Sequence, residues 1–150
     1  MDSRKRIESK EALEAFICQV DGFHDALVHE AILLNTGFVD EKGAMHGDVD
    51  LPNMRLRIQS QFADVIGVEL DLKEVSVLSL VFDRDLQMEG EILQDGVVLY
   101  PCGKVAANRS QIRAKKICYR MLGIESRGPQ FRLLGMAPDE IMGEEYMSEE

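Results

Sequence analysis

Tryptophan is missing from these 150 residues, and Phe and Tyr together make up only 6% of them. A core must therefore be packed from Leu, Ile, Val and Met rather than from stacked rings. Lysine and arginine are scarce beside acid, 17 against 27, which leaves a net charge of -10 at pH 7. Such a surface repels phosphate backbones, so no nucleic-acid partner is expected. Cysteine is rare too, and Cys18, Cys102 and Cys118 form an odd set without a CxxC pair. That suits small buried apolar side chains in a reduced, cytoplasmic protein better than a disulfide framework. No stretch approaches the ~20 apolar residues of a membrane span, and no apolar run behind the first basic residues is long enough for a signal peptide. GxSxG and GxGxxG are absent. Pro101-Cys102-Gly103-Lys104 lacks the second glycine and the Ser or Thr of a phosphate loop and reads as a turn.

What is present is 45% hydrophobic and 29% charged, a globular balance with enough chain for one core. Residues 136–150 carry six acids and neither Lys nor Arg. The expected organisation is a single α+β domain over 1–135 and an acidic C-terminal extension over 136–150.

Ser9 is placed to cap a helix in which Leu13, Phe16, Ile17 and Val20 recur at three- and four-residue steps, until Asp21-Gly22 ends it. Ala26 to Asn35 is dense in aliphatic residues and reads as a strand. Gly37 to Asn53 is broken by Gly43, Gly47 and Pro52 and reads as a loop. Met54, Leu56 and Ile58 alternate with Arg55, Arg57 and Gln59, predicting a strand with one buried and one wet face. Ile66 to Lys73 alternates likewise. From Val75 to Phe82 the parity changes between Val77 and Leu78, which predicts a bulge or a break. Leu86 to Ile92 and Val97 to Tyr100 flank Asp95-Gly96, a strong hairpin signal. Gln111 to Leu122 is a last long strand, with a bulge near Lys115 or Lys116 bringing Ile112, Ala114, Ile117 and Tyr119 to one face. Phe131 to Leu134 reads as a short edge strand or packing segment, and Pro138 to Met147 has a helical start. The fold expected is an N-terminal amphipathic helix packed on a mainly antiparallel sheet of about six strands. The helix is too short to cover the apolar face alone, so a second copy is expected to supply the rest, giving a homodimer.

Ionisable residues crowd at His24, Asp25, His29 and Glu30, the candidate functional cluster, since imidazoles and carboxylates are common ligands and proton carriers. Their spacing opposes a metal site: along a strand, His24 and His29 point to opposite faces, and the order differs from HExxH. His24 and Asp25 then serve to fix the start of the strand by hydrogen bonds. Arg113, Lys115, Lys116 and Arg120 form the one basic stripe, either a contact for phosphate or an acidic partner or, as favoured here, a solvated strand face whose lysines protect an edge. No catalytic residue, metal ligand or cofactor is expected.

Phe23-His24-Asp25-Ala26-Leu27-Val28-His29-Glu30 resembles the FHDxxL-type strand opener of a diverse group of small bacterial proteins. Many of these are uncharacterised, and some are described as immunity proteins of polymorphic toxin systems. The resemblance runs in pattern from Phe23 to Leu122 and implies an antiparallel sheet opened by the triplet and closed by a long strand, here Ile112 to Tyr119. Together with the acidic surface it implies a non-enzymatic protein-binding domain, in its specific form an immunity protein neutralising a basic toxin. The alternatives are a small-molecule- or metal-dependent enzyme centred on His24, Asp25 and His29, and a structural subunit of a larger assembly.

Overall fold

The computed structural model of the protein describes residues 4–35, 37–47, 51–60, 67–82 and 84–122. Within them lie β1 (Lys5–Arg6), α1 (Lys10–Gln19), β2 (Leu27–Leu34), β3 (Phe38–Val39), β4 (Met45–His46), β5 (Asn53–Gln59), β6 (Gly67–Ser79), β7 (Glu89–Leu93), β8 (Gly96–Tyr100) and β9 (Gln111–Leu122). The class is α+β, with one short helix and an antiparallel sheet. The sequence expectations over 131–134, 138–147 and the acidic stretch 136–150 fall outside the described residues.

The helix begins where its cap permits. Ser9 has extended φ/ψ, and its hydroxyl accepts the Ala12 N–H at 3.1 Å, satisfying one of the donors a helix start leaves open. Leu13, Phe16 and Val20 are buried along one stripe. The Phe16 ring packs 4.3 Å from Tyr119 of β9 and edge-on to Phe23 at 5.9 Å, so this aromatic-poor chain concentrates three of its rings at one helix–sheet contact. After Val20 the backbone doubles back. Asp21, Gly22, Phe23 and Asp25 all take positive φ, and Gly22 C=O accepts the Met88 N–H at 2.8 Å. Only Gly22 adopts that conformation without steric cost, so the tight reversal is held by Phe23, which is fully buried.

Seven strands form the main sheet, in the order β2-β5-β6-β9-β8-β7, with β1 also on β9. β9 is central: β6 runs along one side, and the other is shared by β8 beside Ile112 to Ala114 and β1 beside Cys118 and Tyr119. Lys115 and Lys116 fall in the gap between the β8-paired and β1-paired segments of β9. Val68, Leu70 and Leu72 of β6, Ile117 and Tyr119 of β9, and Leu56 and Ile58 of β5 are buried on the face that carries α1.

The parity slip expected near Lys115 or Lys116 is observed without the expected bulge, since the ladder has no register shift there and β6 slips with β9. Leu72 pairs with Ile117 and Val75 with Ala114, and all four are buried although two residues intervene on each strand. Both strands turn together at Glu74, which sits at φ 53° with its N–H bound to Asn53 Oδ1. The expected gathering of Ile112, Ala114, Ile117 and Tyr119 on one face is met. The ladder irregularity in β6 falls between Val75 and Val77, earlier than expected, and the strand continues unbroken. The β7–β8 hairpin turns at Gln94-Asp95, with Gly96 already paired to Leu93. The expected loop from Gly37 to Asn53 instead contains a small separate hairpin, β3–β4. Of the cysteines, Cys102 is buried and Cys118 half-buried, but Cys18 lies exposed on α1, contrary to a buried role for all three.

Phe16→Ala removes the ring on which the helix seats and is expected to destabilise the protein by about 3–5 kcal/mol, whereas Phe16→Leu costs less than half of that. Urea unfolding followed by circular dichroism measures both.

Candidate functional site

The face of the sheet opposite α1 is polar in sequence and, along one row, buried in structure. Along one line perpendicular to the strands, Glu30 of β2 pairs with Arg57 of β5, Arg57 with Glu69 of β6, and Glu69 with Arg120 of β9. The charges alternate across four strands. Arg57 is 0% exposed, Glu69 1% and Glu30 2%, so the wet face expected for β5 and β6 is not observed at these positions. Arg57 Nη1 lies 3.3 Å from Glu30 Oε2 and its Nη2 3.2 Å from Glu69 Oε1, while Arg120 Nε donates to Glu69 Oε2. A second tier, half-buried, joins Arg55 Nε to Asp71 Oδ1 at 2.9 Å and Arg4 Nε to Asp71 Oδ2 at 2.8 Å, and Arg4 also reaches Glu69 at 3.1 Å.

Burial by itself pushes the Glu69 carboxyl up; the Arg120 hydrogen bond and the charges of Arg55, Arg120 and Arg57 outweigh it and hold the group below its ordinary 4.5. Glu69 is thus a fixed anion at neutral pH rather than a proton carrier, and the guanidiniums beside it are spent on carboxylates. The row is built to hold strands in register.

The expected cluster of His24, Asp25, His29 and Glu30 does not assemble. His24 Nδ1 contacts Asp25 Oδ2 at 2.9 Å, with both side chains exposed in the turn before β2. That turn is closed by backbone hydrogen bonds, His24 N–H to Asp21 C=O and Ala26 N–H to Phe23 C=O. His29 occupies a bulge between Val28 and Glu30 in the β2–β5 ladder. Partial burial lowers its pKa despite Glu30, with Arg57 adding to the fall, so the imidazole is neutral at pH 7. Glu30 belongs to the buried row. Among the described residues no group of three or more His, Cys, Asp and Glu is placed to hold a metal ion.

The basic stripe also divides. Arg120 is committed to Glu69, and Lys115 Nζ lies 3.7 Å from Glu74. Lys115 and Lys116 border a cleft of about 340 Å³ between the end of β1 and the β7–β8 hairpin, with Arg6 on the rim and Ile92, Val97 and Ile117 among its apolar lining. Arg113 stands apart, exposed, opposite Val77 and Val98.

The surface that the sequence reading missed is the β3–β4 hairpin. Asp40 organises it: its Oδ1 accepts the N–H groups of Lys42 and Ala44 at 2.9 and 2.8 Å, its C=O accepts Gly43 N–H, and its Oδ2 lies 2.7 Å from His46 Nε2. The His46 hydrogen bond, aided by those backbone donors, holds the Asp40 carboxyl below its ordinary range. The His46 ring stacks on Phe38 at 4.8 Å. So fastened, four residues of strand present Phe38, Val39 and Met45 to solvent, Met45 at 81% exposure. Leu33 and Leu34 at the end of β2 are exposed as well. Asp40 followed by Glu41-Lys42-Gly43 was the available signal, a turn flanked by apolar residues.

Protein-family models, curated proteins and solved structures were each compared with the chain, and none matches. Among the described residues no helix is long and apolar enough to cross a membrane.

Removing the central cation of the row while keeping its bulk, as in Arg57→Met, leaves two buried carboxylates short of a partner and is expected to cost about 3–5 kcal/mol. Because the folded-state pKa of Glu69 is depressed, its contribution is present above the ordinary 4.5 and is lost as pH falls through the folded value. Glu69→Gln should therefore flatten the acid limb of a stability–pH profile relative to wild type. A steep acid limb retained in that variant assigns the acid sensitivity to other groups.

Proposed function

We propose that this is a non-enzymatic protein-binding domain, and that the observation carrying the proposal is the fastened hairpin with Phe38, Val39 and Met45 held outward. Exposing large apolar side chains costs solubility; Val39 and its cross-strand partner Met45 share one face of the hairpin and Phe38, beside His46, the other, so a partner that takes the hairpin into a pocket covers all three. The hairpin spends four of its hydrogen bonds and one ring stack on its own geometry, which lowers the ordering cost of binding. Around it lies a chain of net charge -10, so the partner favoured is a basic protein with an apolar pocket. An immunity protein that occupies a basic toxin is the specific form of this proposal, supported by the resemblance of Phe23 to Glu30 to the strand opener of such proteins. Self-association into a homodimer belongs to the same proposal.

The test titrates candidate basic toxins, beginning with the product of any toxin-like open reading frame adjacent in the genome, against wild type and the double variant F38S/M45S. Loss of two anchors of about 2 kcal/mol each predicts a drop in affinity of 30-fold or more. The melting temperature stays near that of wild type, since these side chains leave the core untouched. Association should slow as salt rises. Asp40→Ala, which loosens the turn without removing an apolar contact, should weaken binding less than F38S/M45S. Equal affinity of wild type and F38S/M45S for a toxin that wild type binds would falsify the hairpin's role, and salt-independent association would remove the charge argument.

A further inference from the structure

Along the path β2-β5-β6-β9-β8-β7 the described sheet ends in β2 and β7, and the two are treated differently. β7 carries Glu89 and Glu91. Glu91 is held by Lys104 and Tyr100, Glu89 Oε1 accepts the Lys104 N–H, and the Leu13 side chain of α1 closes over Gly90. Charged side chains and a covering helix are the ordinary means of keeping a strand edge from pairing. β2, the other edge, is eight residues long and contains no Lys, Arg, Asp or Pro. Leu27, Ala31, Leu33 and Leu34 are exposed on it, Leu27 at 54% and Leu33 at 50%. Its single carboxylate, Glu30, faces Arg57.

We infer that β2 pairs antiparallel with β2 of a second copy across a two-fold axis, continuing the sheet from one chain into the other. Among the described residues no strand pairs with the outer side of β2, and a second extended backbone is the partner that meets a whole row of its N–H and C=O groups at once. The occupant is a second copy because the strand is complementary to itself. Beyond the bulge at His29, the regular segment Glu30 to Leu34 can be laid against its own reversed copy with Ile32 on the axis. Ala31 then lies opposite Leu33 of the partner on one face, small against large, and the exchange repeats across the axis. On the other face Ile32 meets itself, and Leu34 comes to lie over Glu30, adding cover to the buried charge row. For a chain of net charge -10, most surfaces repel their own copies, and this strip meets itself without opposed like charges. The inference deepens the self-association part of the proposed function and does not depend on the hairpin.

The experiment uses the full chain carrying Cys18→Ser, which removes the exposed native thiol. In that background Ile32→Cys places two thiols across the axis, where paired Cα atoms stand about 4.5–5.5 Å apart, inside the range a disulfide spans. Mild oxidation is expected to give a covalent dimer, and Lys42→Cys on the separate hairpin a monomer. Sedimentation of wild type is expected at twice the chain mass, falling to one chain mass in Ala31→Lys and Leu33→Lys, with helix and sheet signals retained. A monomeric wild type overturns the inference, as does a dimer that ignores both lysines and leaves Ile32→Cys uncrosslinked. Should a lysine variant fail to fold, the Ile32→Cys result decides alone. F38S/M45S keeps the dimer while losing the toxin, so failure here and failure of the binding proposal are read separately.

Discussion

One row of alternating charge governs how the strands of this sheet can be arranged. Glu30, Arg57, Glu69 and Arg120 come from four strands and meet in line only if β2, β5, β6 and β9 hold a single register. Slipping any one strand by a residue would carry its apolar set to the wrong face and leave a charge buried without its neighbour. A buried ion pair contributes little net stability, because removing two charges from water costs about what their attraction returns. What it supplies is discrimination. Misregistered sheets are penalised more heavily than the native one is rewarded, which matters when β6 and β9 pair at such long sequence separation. Aromatics are too few to impose that specificity by shape alone.

The row also decides where function can sit. One face of the sheet is given to α1 and the aromatic contact at Phe16; the other, along this row, is buried around Arg57 and Glu69. With both faces occupied at these positions, a recognition surface of the kind proposed is left to the margins. β2 is one margin and exposes Leu27, Leu33 and Leu34, and the separate β3–β4 hairpin that follows it exposes Phe38, Val39 and Met45; Phe82 and Val105 are exposed elsewhere. The opposite margin, β7, is short, acidic and covered.

Much of the fold was legible because its elements are local. The Ser9 cap, the stripe through Phe16 and Val20, the alternation of Met54 to Gln59 and the hairpin signal at Asp95-Gly96 each rest on neighbours within a turn or a pleat, and each corresponds to an observed element. What was not legible is pairing. A strand's place in a sheet is set by its partners: β9 is an inner strand, with Lys115 and Lys116 in the gap between the segments paired to β8 and β1. Arg55 and Arg57 against Glu69 and Asp71 looked like a solvated face because alternation records polarity and not exposure. Opposed signs at matched spacing on two strands were the overlooked sign of cross-strand pairing. His24, Asp25, His29 and Glu30 were grouped by closeness in sequence, yet the positive φ at Asp25 and the bulge at His29 send them to three environments. The β3–β4 hairpin was hidden by its glycines, since two-residue strands leave no periodicity to read.

Glu30 joins these threads. An inward-pointing charge is one of the devices by which an edge strand resists pairing, because a new neighbour would have to desolvate it. Glu30 occupies such a position on β2, but Arg57 has already met its charge and the fold has already removed it from water. The desolvation that would deter a second strand has been completed within the chain. With Glu30 neutralised and Lys and Pro absent, the bulge at His29 is the remaining obstacle along β2, and it leaves Glu30 to Leu34 regular. The interaction that fixes the register of the sheet thereby also removes one deterrent to the β2 pairing proposed above, which ties the buried charge row to that edge.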